Sequence, residues 1–462
     1  MTVLIKGDRL LAVGRKDAIG VPHGAHVIPL PGKYVIPGLC DMHLHIAPRE
    51  DVYPALLVAN GITTVREMNG SPWHHHLRRS IEGGRLVGPR WTISSRIVDG
   101  APSLWDGLPQ PHLSVTSEKE ARQAVRAAKA EGADLVKVYS RLPAGLFRVI
   151  AAEARRQGLP FAGHVPDLFD AREASDLGMR TFEHMYGLFL ATARQERELR
   201  RAVARVRLDA PYYNDWFRRL HAIEWKAAAV HDRDKAARLF EQLARNGTWQ
   251  TPTITMYRGL DTPAEARPPA DQVKYLPASE GMQMWDYVAA EVYLRGRTPE
   301  ETAQRKELFW RRIELVGALK EAGVPVLAGT DTGTAYVAAG FALHDELVWL
   351  TKAGFSSMEA LQAATVEPAR ALGVAHERGT LTRGKAADMV VLDANPLTDI
   401  RNTRRVNAVV TRGRYIAAQA RAALLADVER AAAKPVPTAQ PAGHGCACHG
   451  PLVTAQDAGL RL

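Results

Sequence analysis

The chain has 462 residues, 46% hydrophobic and 24% charged, the balance of an ordinary soluble globular protein with room for a large buried core. Its 60 Lys+Arg against 50 Asp+Glu leave a net charge of +10. The arginines are spread along helical stretches such as 194–207 and 311–312, with no basic block interleaved with aromatics, so no nucleic-acid partner is expected. Three cysteines (Cys40, Cys446 and Cys448) make no disulfide framework, and no apolar run reaches the length of a membrane span, so a cytoplasmic chain with no membrane partner is expected.

Residues 3–5 and 10–13 flank Gly7-Asp8, a hairpin signal, and 26–30 reads as another short strand. From about Val35 short β-rich runs alternate with helical patterns, which predicts βα units and a parallel sheet. The eight runs lie at 35–45, 63–67, 90–98, 135–140, 160–165, 181–184, 248–255 and 325–331. Helical patterns at 118–131 and 144–157 fall between them, the second ending before Gly158 as a C-cap would. Eight strands each followed by a helix predict an α/β fold, a (β/α)8 TIM-like barrel. Two connections, 187–247 and 256–323, are long and follow strand C-terminal ends, where barrel active sites sit, so they are candidates for a lid or substrate wall.

After Leu372 strands return at 385–393 and 406–410, punctuated by Gly379, Gly384 and Gly413. The expected plan is a small composite β-sandwich domain from 1–34 and 373–433, including a helical run at 416–433, around a barrel at 35–372. Residues 434–462, rich in Pro, Ala and Gly and without periodicity, read as a flexible tail.

His43-Leu44-His45 closes the first barrel run. Alternation along a strand puts both imidazoles on one face, aimed into the barrel mouth. His164, His184 and Asp331 end the fifth, sixth and eighth runs. Any one of them alone is a polar group at a rim. All of them at the same rim make a metal-ligand set whose nitrogen and carboxylate donors suit zinc, manganese, cobalt or iron. Lys137 lies inside the apolar run Leu135-Val136-Lys137-Val138-Tyr139, where a bare ammonium is costly. It either snorkels or pairs with Asp331, or its amine has taken up carbon dioxide as a carbamate able to bridge two metals.

These residues, in this order, resemble the binuclear amidohydrolase superfamily. Val35-Ile36-Pro37-Gly38-Leu39-Cys40-Asp41, Gly329-Thr330-Asp331-Thr332-Gly333, Gly384-Lys385-Ala386-Ala387-Asp388 and the Ala-Ala-Thr-x-x-Pro-Ala core within 360–373 resemble it too, over roughly residues 2–430. The chain is most similar to the prolidase-like and imidazolonepropionase-like branch. The resemblance implies His43, His45 and Asp331 on a first metal, His164 and His184 on a second, and carboxylated Lys137 bridging both. It also implies two divalent ions, zinc first among them, carbon dioxide for Lys137, a homo-oligomer, and a small-molecule amide as substrate. Such members usually carry an extra strand or two before Val3, so the small domain is expected to be incomplete or the start to lie upstream.

In that chemistry Asp331 moves a proton from the attacking hydroxide to the leaving nitrogen. Tyr257, just after the seventh run, is a candidate oxyanion donor or an aromatic packed under a loop. Tyr139 and Arg141 are candidates to meet a substrate carboxylate. His74-His75-His76 reads as a solvated helix start in preference to a metal site. His444, Cys446, Cys448 and His449 in the tail are close enough to grip a soft metal, with an incidental segment the default. Dipeptides or N-acyl amino acids are the first substrate class expected, and aryl amides, phenylureas or carbamates the second. The rivals are a mononuclear deaminase or ring hydrolase, whose members generally lack the lysine, and a non-catalytic assembly protein, whose members lose ligands.

Overall fold

The computed structural model describes residues 1–108, 110–209 and 212–435. The strands in chain order are β1 (Thr2–Lys6), β2 (Arg9–Gly14), β3 (Tyr34–Pro37), β4 (Leu39–Leu44), β5 (Ile62–Glu67), β6 (Arg90–Gly100) and β7 (His112–Val115). They continue as β8 (Leu135–Val138), β9 (Phe161–Gly163), β10 (Thr181–Glu183), β11 (Trp249–Thr251), β12 (Met389–Leu392), β13 (Val406–Thr411) and β14 (Arg414–Ile416). β1 and β2 form the expected hairpin, with Gly7 at φ +58° in its turn.

The barrel sheet runs β4-β5-β6-β8-β9-β10-β11, all neighbours parallel. The eighth run closes it through isolated bridges in place of a regular ladder. Gln250 pairs with Val326 and Leu44 with Thr332, and Met42 N–H donates to the Ala328 carbonyl at 3.0 Å. The ladder breaks there because Asp331 sits at φ +57°, a left-handed turn that a strand cannot hold.

The structure divides the first run differently from the sequence reading. Val35 and Ile36 pair with Val391 and Val390 in the antiparallel sheet β3-β12-β13-β14, and only from Leu39 does the chain join β5. The switch falls at Gly38. A Cβ there would lie 2.0 Å from Thr63 Oγ1, so only glycine lets one strand pass from one sheet to the other. β7 was not foreseen; it pairs parallel with the end of β6, from Ile97↔His112 to Gly100↔Val115.

Apolar strand residues such as Val65, Ile93, Val136 and Phe182 join helix faces in one continuous core. The helix at Glu118–Ala130 starts with a capping box between Ser117 and Glu120, and Gly158 ends Ala144–Gln157 in the left-handed conformation as expected. Both long connections fold as helices. The first holds Tyr212–Ala229 and Arg233–Asn246, the second Ile254–Asp261 and Pro299–Glu321. They are tied together by Arg312, which bonds Asp261 in the second connection and Glu224 in the first, the latter at 2.8 Å. Among the described residues no helix is long and apolar enough to cross a membrane.

His344, buried in the helix Ala342–Lys352, donates from Nε2 to the Asn60 carbonyl at 3.1 Å and pairs Nδ1 with Thr403 Oγ1 at 3.0 Å. Burial, and then the Arg404 guanidinium, push its pKa from 6.5 down to about 3. Below the ordinary histidine pKa the unfolded chain binds a proton that the folded chain refuses, so His344 favours folding fully above pH 6.5 and progressively less down to about 3. The variant His344→Gln should therefore be less stable at pH 7.5 by about 1 kcal/mol, the scale of a lost buried hydrogen bond. Its stability should fall more gently than wild type between pH 6 and 4. Urea melts across that range check this, and parallel acid limbs would refute it.

Candidate metal centre

The C-terminal ends of the strands bring the predicted ligands to one buried space. His43 lies in β4 and His45 just after it, Lys137 lies in β8, His164 and His184 follow β9 and β10, and Asp331 follows the barrel-closing segment. All six are buried. Donor atoms of His43, His45 and Asp331 lie within 4.8 Å of one another, as a shared ion requires. Asp331 Oδ1 is 3.3 Å from Nε2 of both His43 and His45. The His43 ring centroid is 4.5 Å from that of His184, which is 5.0 Å from that of His164, so the four imidazoles are contiguous. Lys137 acts electrostatically on His43, His164 and His184, which puts it among them.

Each histidine has its Nδ1 engaged. His43 Nδ1 meets Glu183 Oε2 at 2.7 Å, His45 Nδ1 meets Glu67 Oε1 at 3.2 Å, His164 Nδ1 meets Ser140 Oγ at 2.8 Å, and His184 Nδ1 meets Thr253 Oγ1 at 2.7 Å. Thr253 gives its hydroxyl hydrogen to the Pro252 carbonyl at 2.8 Å, so its oxygen accepts from His184 Nδ1–H. The carboxylates beside His43 and His45 can only accept, which makes Nδ1 the donor there as well. On His43, His45 and His184 Nε2 then carries the lone pair, and it does so on His164 when the Ser140 hydroxyl accepts from Nδ1. On His164 and His184 that atom is buried with no hydrogen-bond partner among the described residues. Buried lone pairs of this kind fit a divalent ion that completes them.

The electrostatics agree. Burial first, then the Lys137 charge, hold His43 down at about 4, and the same two effects, together with neighbouring histidines, press His164 well below its ordinary value. The rings are therefore neutral at pH 7, as metal ligands must be. Burial opposes ionisation of Glu183, but Arg66 and His43 outweigh it and keep the carboxyl well below its usual range. Arg66 reaches Glu183 Oε1 at 2.8 Å, Thr181 Oγ1 at 2.9 Å and the Met42 carbonyl at 2.6 Å, and so ties β4, β5 and β10 together beneath the ligands. Asp41 accepts from Thr330 N–H at 3.0 Å and Thr330 Oγ1 at 2.7 Å, which pins the turn carrying Asp331 to the strand carrying His43. His184, Thr253 and Asp331 all have positive φ (59°, 48° and 57°), a strained backbone gathered at the ligands.

Glu67, Glu183, Arg66, Ser140 and Thr253 were not picked out from the sequence. The available signal was a weaker form of the one that exposed Lys137: Arg66, Glu67 and Glu183 are charges within β-rich runs, though not flanked by apolar residues on both sides. His74 corrects the reading of a solvated helix start. It is buried, with Nδ1 2.9 Å from Ser71 Oγ and Nε2 3.3 Å from Glu67 Oε2, because its helix (Pro72–Glu82) turns that face onto the barrel. Tyr257 commits its hydroxyl hydrogen to the His184 carbonyl, with the Arg312 guanidinium 3.8 Å from its ring. Tyr139 is fully buried and stacks on His164 at 4.0 Å; the Arg141 side chain lies 3.8 Å from Asp167. His444, Cys446, Cys448 and His449 lie outside the described residues.

Replacing Glu183 by Gln would leave Arg66 without its buried counter-charge and His43 without a carboxylate behind it. We expect Glu183→Gln to weaken divalent-metal affinity by about 10- to 100-fold. A loss of about 3 kcal/mol of stability should accompany it. Chelator competition and denaturant melts read both, and wild-type affinity in the variant would show that the pair does not support the ligands.

The model of the amidohydrolase family matches residues 34–416. Bottromycin amidohydrolase is 26% identical, with a TM-score of 0.69 over 90% of this chain and 83% of that one. A Xaa-Pro dipeptidase structure is 19% identical, with a TM-score of 0.62 over 90% of this chain and 94% of that one, a likeness of fold. The imidazolonepropionase of Thermoplasma volcanium is 34% identical over 94 residues, 19% of this chain and 22% of that protein. The chain spans 30% or less of the length of the curated relatives it matches.

Proposed function

The chain belongs to the amidohydrolase family, and on that premise we propose that it hydrolyses a carbon–nitrogen amide bond at a binuclear metal centre. A hydrolytic enzyme acting on carbon–nitrogen bonds is what the family establishes. The two-metal centre rests on one observation: beside the triad of His43, His45 and Asp331, a second pair of buried Nε2 atoms on His164 and His184 lacks any partner among the described residues. In this reading the triad would hold one ion, His164 and His184 would hold the other, and Lys137, as a carbamate, would supply an oxygen ligand to each. The ammonium would first lose one proton; its neutral amine would then add to carbon dioxide, a C–N bond forming as one C=O π bond opens and a second proton leaving, so that a cation pressing on three histidines becomes an anion. Zinc suits the donors, as do cobalt, manganese and iron.

When bound, such ions acidify water and polarise the scissile carbonyl. The protein's own part falls to Asp331. Its carboxylate takes the proton released as water adds to the carbonyl carbon and hands it to the nitrogen as the C–N bond breaks. Tyr257 positions His184 through its carbonyl and leaves oxyanion stabilisation to the ions. Dipeptides and N-acyl amino acids are the first substrate class, supported by the fold shared with a Xaa-Pro dipeptidase.

A panel of N-acyl amino acids, Xaa-Pro dipeptides, aryl amides and aryl ureas, assayed with added metal and bicarbonate, tests the reading. Turnover is expected among the first two groups, and deamination of a purine or pyrimidine in place of amide cleavage would overturn it. Asp331→Asn should keep the fold and lower kcat by about 10²- to 10⁴-fold, the usual worth of a general acid–base group. Near-normal kcat in that variant would misplace the proton carrier. Lys137→Ala should lose both metal content and activity, with partial recovery in a short carboxylic acid. Full metal content without the lysine would remove its bridging role.

A further inference from the structure

Beside the metal centre lies a cavity that opens to solvent and encloses about 690 Å³ of empty space, solvent included, and the metal chemistry gives it no role. Tyr186 is the shared wall. Its ring lines the cavity, and its centroid is 4.5 Å from that of His164 and 5.4 Å from that of His184. The other walls are mostly apolar, and one of them comes from the helix Tyr212–Ala229, with Trp216, Phe217, Leu220 and Ile223 on it. Trp216 spends its indole N–H on Asp167 at 2.9 Å.

The charged groups on the lining are already balanced. Arg312 bonds Asp261 and Glu224, while Arg305 bonds Glu301 at 3.0 Å and lies 3.7 Å from Asp261. Arg297 hydrogen-bonds the Leu260 carbonyl at 3.0 Å. On the lining itself Arg305 and Arg312 stand against Asp167 and Glu224, so a charged ligand group would find no unbalanced counter-charge waiting. Two buried polar atoms of the lining have no hydrogen-bond partner among the described residues, His221 Nε2 and Arg312 Nε. The Arg312 guanidinium is stacked on the Tyr257 ring at 3.8 Å. His221 is 5% exposed and held uncharged, at about 2, by burial and then by Arg305 and Arg312. A buried imidazole nitrogen without a partner in an aromatic cavity is costly unless a ligand satisfies it.

We propose that this cavity receives the group on one side of the scissile amide, and that the group is an aromatic ring carrying one uncharged hydrogen-bonding atom, phenol-like, which His221 reads. The inference rests on the hydrolase reading for what the cavity serves, and on the cavity alone for what it binds. His221 is a specificity residue: it selects the ring substituent and takes no part in bond cleavage. A site built to bond a hydroxyl rejects the analogue that lacks it, because its own polar atom is then left unpaired.

The test uses the full metal-loaded chain and matched pairs that place the ring on either side of the amide. These are N-acetyl-tyrosine against N-acetyl-phenylalanine, and 4-hydroxyphenylacetyl-proline against phenylacetyl-proline. The hydroxylated member of at least one pair should have the higher kcat/KM by about tenfold, the scale of one buried hydrogen bond. His221→Leu should bring that ratio to about 1, and His221→Gln should keep most of it. A ratio near 1 in wild type for both pairs, or an unchanged ratio in folded His221→Leu, overturns the proposal.

Should His221→Leu fail to fold, Leu220→Trp fills the same space. It should lower kcat/KM for the aromatic members by about tenfold relative to acetyl-proline, the scale of lost apolar contact in a pocket, and an equal effect on all of them overturns the proposal. Binding of 4-hydroxyphenylacetamide and phenylacetamide, followed by tryptophan fluorescence, separates the two readings. Tighter binding of the hydroxylated amide with no turnover of any amide would keep the cavity assignment and reject the hydrolase. Turnover with no preference in rate or in binding would do the reverse.

Discussion

Each of four histidines at the barrel mouth has its Nδ1 held by an oxygen of the protein, and the rest of the site follows from that constraint. Glu183, Glu67, Ser140 and Thr253 come from four different places along the chain, yet each meets its histidine within 3.2 Å. An imidazole pinned in this way has one orientation, and beside Glu183, Glu67 and Thr253 one tautomer, so its remaining nitrogen points where the fold sends it. Burial adds the second half of the constraint, because a neutral ring is the only form a dry pocket beside Lys137 tolerates. Metal-ready donors are therefore built by ordinary hydrogen bonding before any ion arrives.

The support beneath the ligands is charged and fully buried, which a fold maintains only when the charges are matched. Arg66 and Glu183 satisfy one another, and Arg66 also gathers a main-chain carbonyl and a threonine hydroxyl, so little of its donor capacity is wasted. Breaking such a pair costs more than never having had it, which makes the cluster a point of fragility as well as of precision. Lys137 stands among the same buried groups. Its charge works against the histidines around it, and carboxylation reverses that sign in the proposed two-metal state. The helical connections obey the same rule farther out, where Arg312 joins Asp261 of the second to Glu224 of the first next to the aromatic cavity.

Much of this was legible in the sequence because it depends on short periods. Alternation along a strand was enough to put His43 and His45 on one face, and the position of His164, His184 and Asp331 at the ends of apolar runs was enough to gather them at one rim. What stayed hidden depends on contacts between distant segments. Ser140 and Thr253 are small hydroxyl residues of a kind found throughout the chain, and only the folded barrel brings them to His164 and His184. The burial of His74 needs its helix laid on β6. The change of sheet at Gly38 needs Thr63 pressed against it, and the cavity exists only once the two long connections have packed together. Arg66, Glu67 and Glu183 were within reach, since a charge in a β-rich run demands a partner wherever the run is buried.

The claim that two ions and a modified Lys137 complete this set of pinned histidines is tested most directly by anomalous diffraction from crystals grown with divalent metal and bicarbonate. The account predicts two anomalous peaks, one among His43, His45 and Asp331 and one between His164 and His184, with carbamate density on Lys137 reaching both. A single peak, or two peaks beside an unmodified lysine amine in active enzyme, would contradict it.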